Sequence, residues 1–391
     1  VGSEMCIRDR ERIMNNDISL TLGNEQLAER EEYLHVGIVN RINSSPPLKW
    51  IMSNIGKARR AFYSTIGTSL YKTQLSPLSL AKVYMSICIP RLLYGAEVRH
   101  FSENETNCYE QFHKDMSKDI QLLPKNTPNP VPLATMGWQK IIYLIDLAKL
   151  NFAHRILSSA SSCVYRITFV KRFYHILGNT ILTDVSPVAQ FVAVCMKYKL
   201  LEFVKEWLIS GMSPTKYEWK KRCKSAIYDY EISRWRLDLQ FYRKLTDFRV
   251  VQLHLKPSVW WTVSRFNLKM KRQCSTMIRL LSNVSQLRVN TDMDVEHNQR
   301  LCTLCDKGEV EDLYHMVMDC SHYVDIRTGM MHRIIEGIED QDKDLFTSLP
   351  NRIKFYILMG MEYPLQAQAL WHVRRHSCQG VNKIYDRRCM I

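Results

Sequence analysis

The chain has 391 residues, 46% hydrophobic and 24% charged, a composition that excludes wholesale disorder and collagen-like structure and is long enough for two or three cores. No apolar run approaches the roughly 20 residues that span a bilayer; Ile141-Ile-Tyr-Leu-Ile145 is stopped by Asp146 and Lys149, so neither a membrane span nor a membrane partner is expected. The net charge of +15 is unevenly placed, with 19 basic and 7 acidic side chains in 197–279 but 4 basic and 11 acidic in 306–350. A basic block beside an acidic one points to a polyanionic partner, of which nucleic acid is the commonest, or to a merely solvated basic surface.

In chain order, Val1-Gly-Ser-Glu-Met-Cys-Ile-Arg-Asp-Arg10 lacks periodicity and looks like a translated sequencing adapter. Residues 1–10 are therefore expected to be a non-native scar, with the native frame continuing upstream of Glu11. Residues 11–47 hold two strand patterns, Ile18–Leu22 and Glu32–Val39, around Gly23-Asn24-Glu25, which predicts a β-hairpin. Within 48–123, Ile51, Ile55, Ala58, Phe62, Ile66 and Leu70 form a helical stripe whose end at Gly67 is left open. Ser76-Pro77 starts a second helix, expected to stop at Pro90, and 91–98 reads as the start of another.

Prolines at 124, 128, 130 and 132 predict a linker over 124–135. Helical periodicity fills 136–280, where the basic block interleaves its charges with 14 aromatics, among them Trp207, Trp219, Trp235, Trp260 and Trp261. Such rings can stack bases while Lys and Arg neutralise phosphates, although aromatics at helical spacing more often build a core. Glu339-Asp-Gln-Asp-Lys-Asp344 reads as a solvated turn. The fold class expected is mainly α: a short β-hairpin, a helical bundle, a helical basic middle region and a small C-terminal module.

That module, within 281–391, carries Cys302, Cys305, His315 and Cys320 in the pattern C-x2-C-x9-H-x4-C. Paired cysteines two residues apart turn both sulfurs to one side, the first half of a tetrahedral Zn²⁺ site that His315 and Cys320 can complete, with His322 as the alternative imidazole. Four protein ligands leave no position for water, so the zinc expected is structural. Asp306, Glu309, Glu311 and Asp312 make the loop acidic, leaving Arg300, Arg327 or His322 for any nucleic-acid contact there. Twelve scattered cysteines without a secretory leader imply a reducing, intracellular compartment. Phosphate-binding glycine loops, H-E-x-x-H, G-x-S-x-G and any Asp-Asp pair are all missing from the sequence, so no catalytic residue is assigned.

Taken together, these segments resemble the C-terminal part of a non-LTR (LINE-type) retrotransposon reverse transcriptase. Glu32-Tyr-Leu-His-Val-Gly-Ile38 is similar to the primer-grip hairpin that closes the palm. Lys57-Ala-Arg-Arg-Ala-Phe-Tyr63 and Leu80–Glu97 resemble thumb helices, and Met136–Ile142 with His154–Leu157 resembles the segment that follows. Glu311-Asp-Leu-Tyr-His315, Cys320, Tyr323 and Arg327 are similar to the family's zinc-binding tail. The resemblance implies an RNA-directed DNA polymerase acting in cytoplasm and nucleus on an RNA template and an RNA–DNA or DNA duplex. It places Tyr33, Leu34 and Gly37 at the primer end and Lys57, Arg59 and Arg60 on the duplex backbone. It also implies that Mg²⁺ belongs to a catalytic region outside this chain, so that this fragment alone is inactive. The alternatives are a domesticated or decayed stand-alone zinc-containing nucleic-acid-binding or scaffold protein, and an unrelated helical zinc protein engaged in protein contacts.

Overall fold

The computed structural model describes residues 21–22, 25–26, 32–35, 38–41, 48–67, 74–178, 186–292 and 294–390, with side chains from Trp50 onward. Two units divide the chain, Val1–Trp50 and Ile51–Ile391. In the first, β1 (Thr21–Leu22) pairs antiparallel with β2 (Glu25–Gln26), and β3 (Glu32–His35) pairs with β4 (Ile38–Arg41). The single hairpin expected from 18 to 39 is thereby corrected to two. The second hairpin runs in register from Glu32↔Arg41 to His35↔Ile38, so the stretch Glu32–Val39 expected as one strand holds parts of two. Residues 1–10 lie outside the described residues.

The protein is mainly helical, as the periodicity predicts. Helix Leu48–Ile66 buries Ile51, Ile55, Ala58, Phe62 and Ile66. It ends at Gly67, where φ is 65° and the N–H donates to the Tyr63 carbonyl (3.0 Å); a side chain would strain this left-handed cap. Ser76 caps Pro77–Val83 by accepting the Ser79 N–H, but the helix does not stop at Pro90. A wide π-turn, Tyr84–Cys88, leads into Ile89–Leu92 with Pro90 in its first turn, where a missing N–H costs nothing. The helix expected to begin at 91–98 therefore ends at Leu92, and 93–97 are turns.

The expected linker also needs correcting. Pro130–Met136 is a short helix with Val131 to Met136 all buried. Its prolines occupy the first turn, and the carbonyl of Pro132 accepts from Ser117 Oγ and Gln121 Nε2, both at 2.8 Å. Gln121 Oε1 in turn accepts from Thr135 Oγ1 (2.6 Å) and Trp261 Nε1 (3.1 Å), so the segment is locked into the core by a satisfied polar network.

Helices Ile141–Leu157, Val164–Gly178, Pro187–Lys197, Leu201–Ser210 and Lys216–Gln240 share a core that includes Leu150, Phe173, Phe191, Val204, Trp219 and Ile227. Trp207, Trp219, Trp235, Trp260 and Trp261 are each at most 4% exposed, so all five are core rather than base platforms. These tryptophans alternate with charges along the chain because the helical turn sends the two to opposite faces. The acidic run is a helix, Asp340–Ser348, not a solvated turn. Its Asp342 is buried and accepts the Gln366 N–H at the start of the last helix, Ala367–Cys389. Among the described residues no helix is long and apolar enough to cross a membrane.

Helix Ile141–Leu157 has no side-chain cap of its own. The Lys140 N–H donates to Glu231 Oε1 (2.8 Å) and the Ile141 N–H to Glu110 Oε2 (2.7 Å), both carboxylates coming from other helices. Burial raises the Glu231 carboxyl to about 7, against the pull of the Lys140 N–H. Because the folded value is the higher one, the stability present below about pH 4.5 is lost as pH rises to about 7. Glu231→Gln, which keeps the acceptor, should therefore match wild type near pH 4.5 and exceed it at pH 8 by on the order of 3 kcal/mol. Urea melts across that range check this; a difference independent of pH would reject it.

Candidate metal centre

The segment around Cys302 folds back as a short ribbon. Leu301 and Val310 form an antiparallel bridge, the Cys302 N–H donates to the Glu309 carbonyl (2.8 Å), and the Glu311 N–H donates to the Arg300 carbonyl (2.9 Å). Gly308 turns the ribbon with φ 64°. The second half is a single π-turn, His315–Asp319. The Cys320 N–H closes it on the His315 carbonyl (2.8 Å), which is why a His and a Cys five residues apart meet. Asp312 Oδ1 accepts the His315 N–H (2.7 Å) and starts that turn, while Leu313, Met316 and Val317 bury its apolar side.

These two pieces bring one ligand atom each from Cys302, Cys305, His315 and Cys320 within 4.8 Å of one another, a cluster that could hold a metal ion. The Cys302 and Cys320 sulfurs are 3.9 Å apart, and Cys305 Sγ is 3.4 Å from His315 Nε2. A tetrahedral ion with metal–sulfur bonds near 2.3 Å and metal–nitrogen bonds near 2.0 Å separates its ligand atoms by roughly 3.5–3.8 Å. The donor set therefore fits such an ion, whereas the sulfurs are too distant for a disulfide. His315 Nδ1 lies 2.7 Å from Glu309 Oε2, so the carboxylate orients the ring and leaves Nε2 facing the sulfurs. His322 is exposed, with its ring edge-on to Tyr323, and the imidazole in the cluster is that of His315.

Burial pushes the Cys320 thiol up to about 12 and raises that of Cys302. Backbone N–H groups of His322 and Leu304 donate to these sulfurs and pull the other way. A cation among the sulfurs is what would offset the cost of burying thiolate charge here.

Around the cluster, Arg327 Nη2 donates to the Cys320 carbonyl (2.8 Å), and Arg300 donates to the carbonyls of Val295 and Val289. Both arginines expected to face nucleic acid thus hold the backbone, while His322 stays exposed. Glu311, 2% exposed, accepts from Arg388 Nε and Nη2 and from the Arg288 N–H. Glu309 stood out in the sequence only as local negative charge. Arg388 carried no local signal, being 77 residues from its partner.

Of the other expected site residues, Tyr33 and Leu34 stand on β3 and Gly37 falls outside the described residues. Lys57, Arg59 and Arg60 are exposed on the first helix, with the Arg59 guanidinium 5.6 Å from the Phe112 ring centre. No protein-family model, curated protein or solved structure matches the chain.

Proposed function

We propose that this chain is the template- and primer-holding C-terminal part of an RNA-directed DNA polymerase of the non-LTR retrotransposon kind, with structural zinc on Cys302, Cys305, His315 and Cys320. A sulfur-rich set of three thiolates and an imidazole suits Zn²⁺, and four protein ligands leave no open position for hydrolytic water. The zinc supplies a cross-link and no reaction step. Polymerisation, with its Mg²⁺, is assigned to a catalytic region outside this chain.

The observation that carries the nucleic-acid reading is how residues 197–279 dispose of their charge. Most of their carboxylates are engaged: Glu202 with Lys205, Glu218 at the Thr215 cap, Glu231 under Lys140, Asp238 with Lys140 and Asp247 with Arg352. Lys199, Lys220, Lys221, Lys224, Arg243, Lys244, Arg265, Lys269 and Arg272 are exposed. Surplus positive charge presented to solvent favours a polyanion bound mainly through phosphates.

Titrating the full chain against an RNA–DNA duplex over a salt series tests this. About five phosphate contacts would cost roughly 10²–10³-fold in affinity between 50 and 200 mM salt. A chain that binds no duplex at low salt would refute the reading.

A further inference from the structure

Resting on that reading, we infer that one face of the Lys216–Gln240 helix, Tyr217, Lys221, Lys224 and Tyr228, is a binding stripe for single-stranded nucleic acid. These four positions follow the spacing i, i+4, i+7, i+11, so they line up along one side over about 16 Å. Tyr217 is 75% exposed, Lys221 and Lys224 are exposed, and Tyr228 is partly exposed. The opposite face is fixed in the core by Trp219, Cys223 and Ile227, and the Trp219 indole donates to the Leu150 carbonyl (3.1 Å). The helix therefore cannot roll to hide the stripe.

Its groups are also chemically free. Among the described residues, no hydrogen bond, ion pair or ring contact engages Tyr217, Lys221, Lys224 or Tyr228. Lys216 and Lys220, both exposed, flank the stripe. The nearest carboxylates in sequence are Glu218, held by the Thr215 N–H (2.9 Å) and hydroxyl (2.8 Å) in a capping box, and the exposed Asp229 beside Tyr228; among the described residues neither is ion-paired with Lys221 or Lys224.

Two rings with two cations between them suit a strand whose bases are unstacked. Each phenol offers a face to a base, and the ammonium groups sit where the intervening phosphates must pass. In a duplex the base faces are already occupied, so only the lysines would contribute there. An anionic membrane shares the attraction to lysine, but the groups flanking the cations are phenols rather than the long aliphatic side chains that enter lipid.

The test uses the full chain and a fluorescent oligouridylate of about a dozen nucleotides, compared with an RNA–DNA duplex, by anisotropy over a salt series. Four proteins are compared: wild type, Tyr217→Leu/Tyr228→Leu, Lys221→Gln/Lys224→Gln, and a control altered at the exposed Lys125 and Lys383, Lys125→Gln/Lys383→Gln. Leu and Gln are good helix formers, and equal melting curves confirm that the fold is kept.

The tyrosine pair should weaken oligouridylate binding about tenfold with an unchanged salt slope, and leave duplex binding alone. The lysine pair should weaken both and lower the single-strand slope by about 1.4. The control should bind as wild type does. If wild type binds but both stripe variants bind equally well, the stripe is wrong and the general nucleic-acid reading stands. Equal losses in the control and lysine pairs would reduce the effect to net charge and also overturn the stripe. If wild type binds neither probe, or only vesicles of anionic lipid, both readings fall.

Discussion

Cys305→Ser should strip the metal from the chain and unfold the region around it. Elemental analysis after dialysis should find one zinc per wild-type chain and none in the variant. Cys305 is the informative ligand because it is only partly buried, whereas Cys320 is fully so. A serine at 320 would open a fault in the core whether or not zinc were bound. At 305, losing one sulfur atom near the surface should change stability by only about 0.5 kcal/mol if no metal is held there. If zinc is held, its binding free energy is part of the folding free energy, on the order of 10 kcal/mol for such sites in isolated peptides. Losing one thiolate would remove much of that contribution. The expected signs are rapid proteolysis between 300 and 325 and a destabilisation well above the neutral range. Cys108→Ser, a partly buried thiol outside the cluster, serves as the control and should be silent. A chain refolded in zinc that carries no metal, or a Cys305→Ser variant as stable as the control, would refute the site.

The ligand spacing was legible because its chemistry is local. Two sulfurs three positions apart and a His–Cys pair five apart each need only one turn, and those turns formed. Choosing between His315 and His322 was not legible, since both stand at workable distances along the chain. The π-turn decides it by placing the His315 ring inward, where Glu309 from the ribbon's other arm orients it. Helical periods were equally legible over Ile51–Ile66, but the π-turn at Tyr84–Cys88 was not. Pro90 reads as a stop because proline does not belong in a helix interior, whereas the wide turn before it carries the helix on to Leu92. The five tryptophans show the same limit: composition reveals that rings and charges mix, and only packing reveals which face each takes. Partners contributed from distant segments leave no local pattern at all. Gln121 beneath Pro132, Glu231 and Glu110 over the start of Ile141–Leu157, and Asp342 beneath Gln366 are all of this kind.

Arg388→Ala tests the most consequential of these long-range partners. Glu311 sits on the ribbon beside Cys302, almost wholly buried, and accepts two hydrogen bonds from the Arg388 fork. Removing the guanidinium leaves a nearly buried carboxylate whose remaining hydrogen bond among the described residues comes from the Arg288 N–H, and breaking a buried pair in this way costs about 3–5 kcal/mol. The double variant Glu311→Gln/Arg388→Met should recover much of that loss, because a neutral amide and an apolar chain remove the stranded charge. If Arg388→Ala were instead nearly neutral in urea melts, the pair would be a surface contact and its burial here would be wrong. A second readout separates simple destabilisation from an effect on the site. The Glu311 N–H bonds the Arg300 carbonyl in the ribbon that presents Cys302, so freeing Glu311 should loosen the first ligand pair. Zinc should then pass faster to a chromophoric chelator from Arg388→Ala than from Leu150→Ala, a variant destabilised by a comparable amount, about 2–5 kcal/mol, in a core that contains none of the ligands. The last helix would thus clamp the metal loop through one arginine, and the rate of zinc release would measure how firmly.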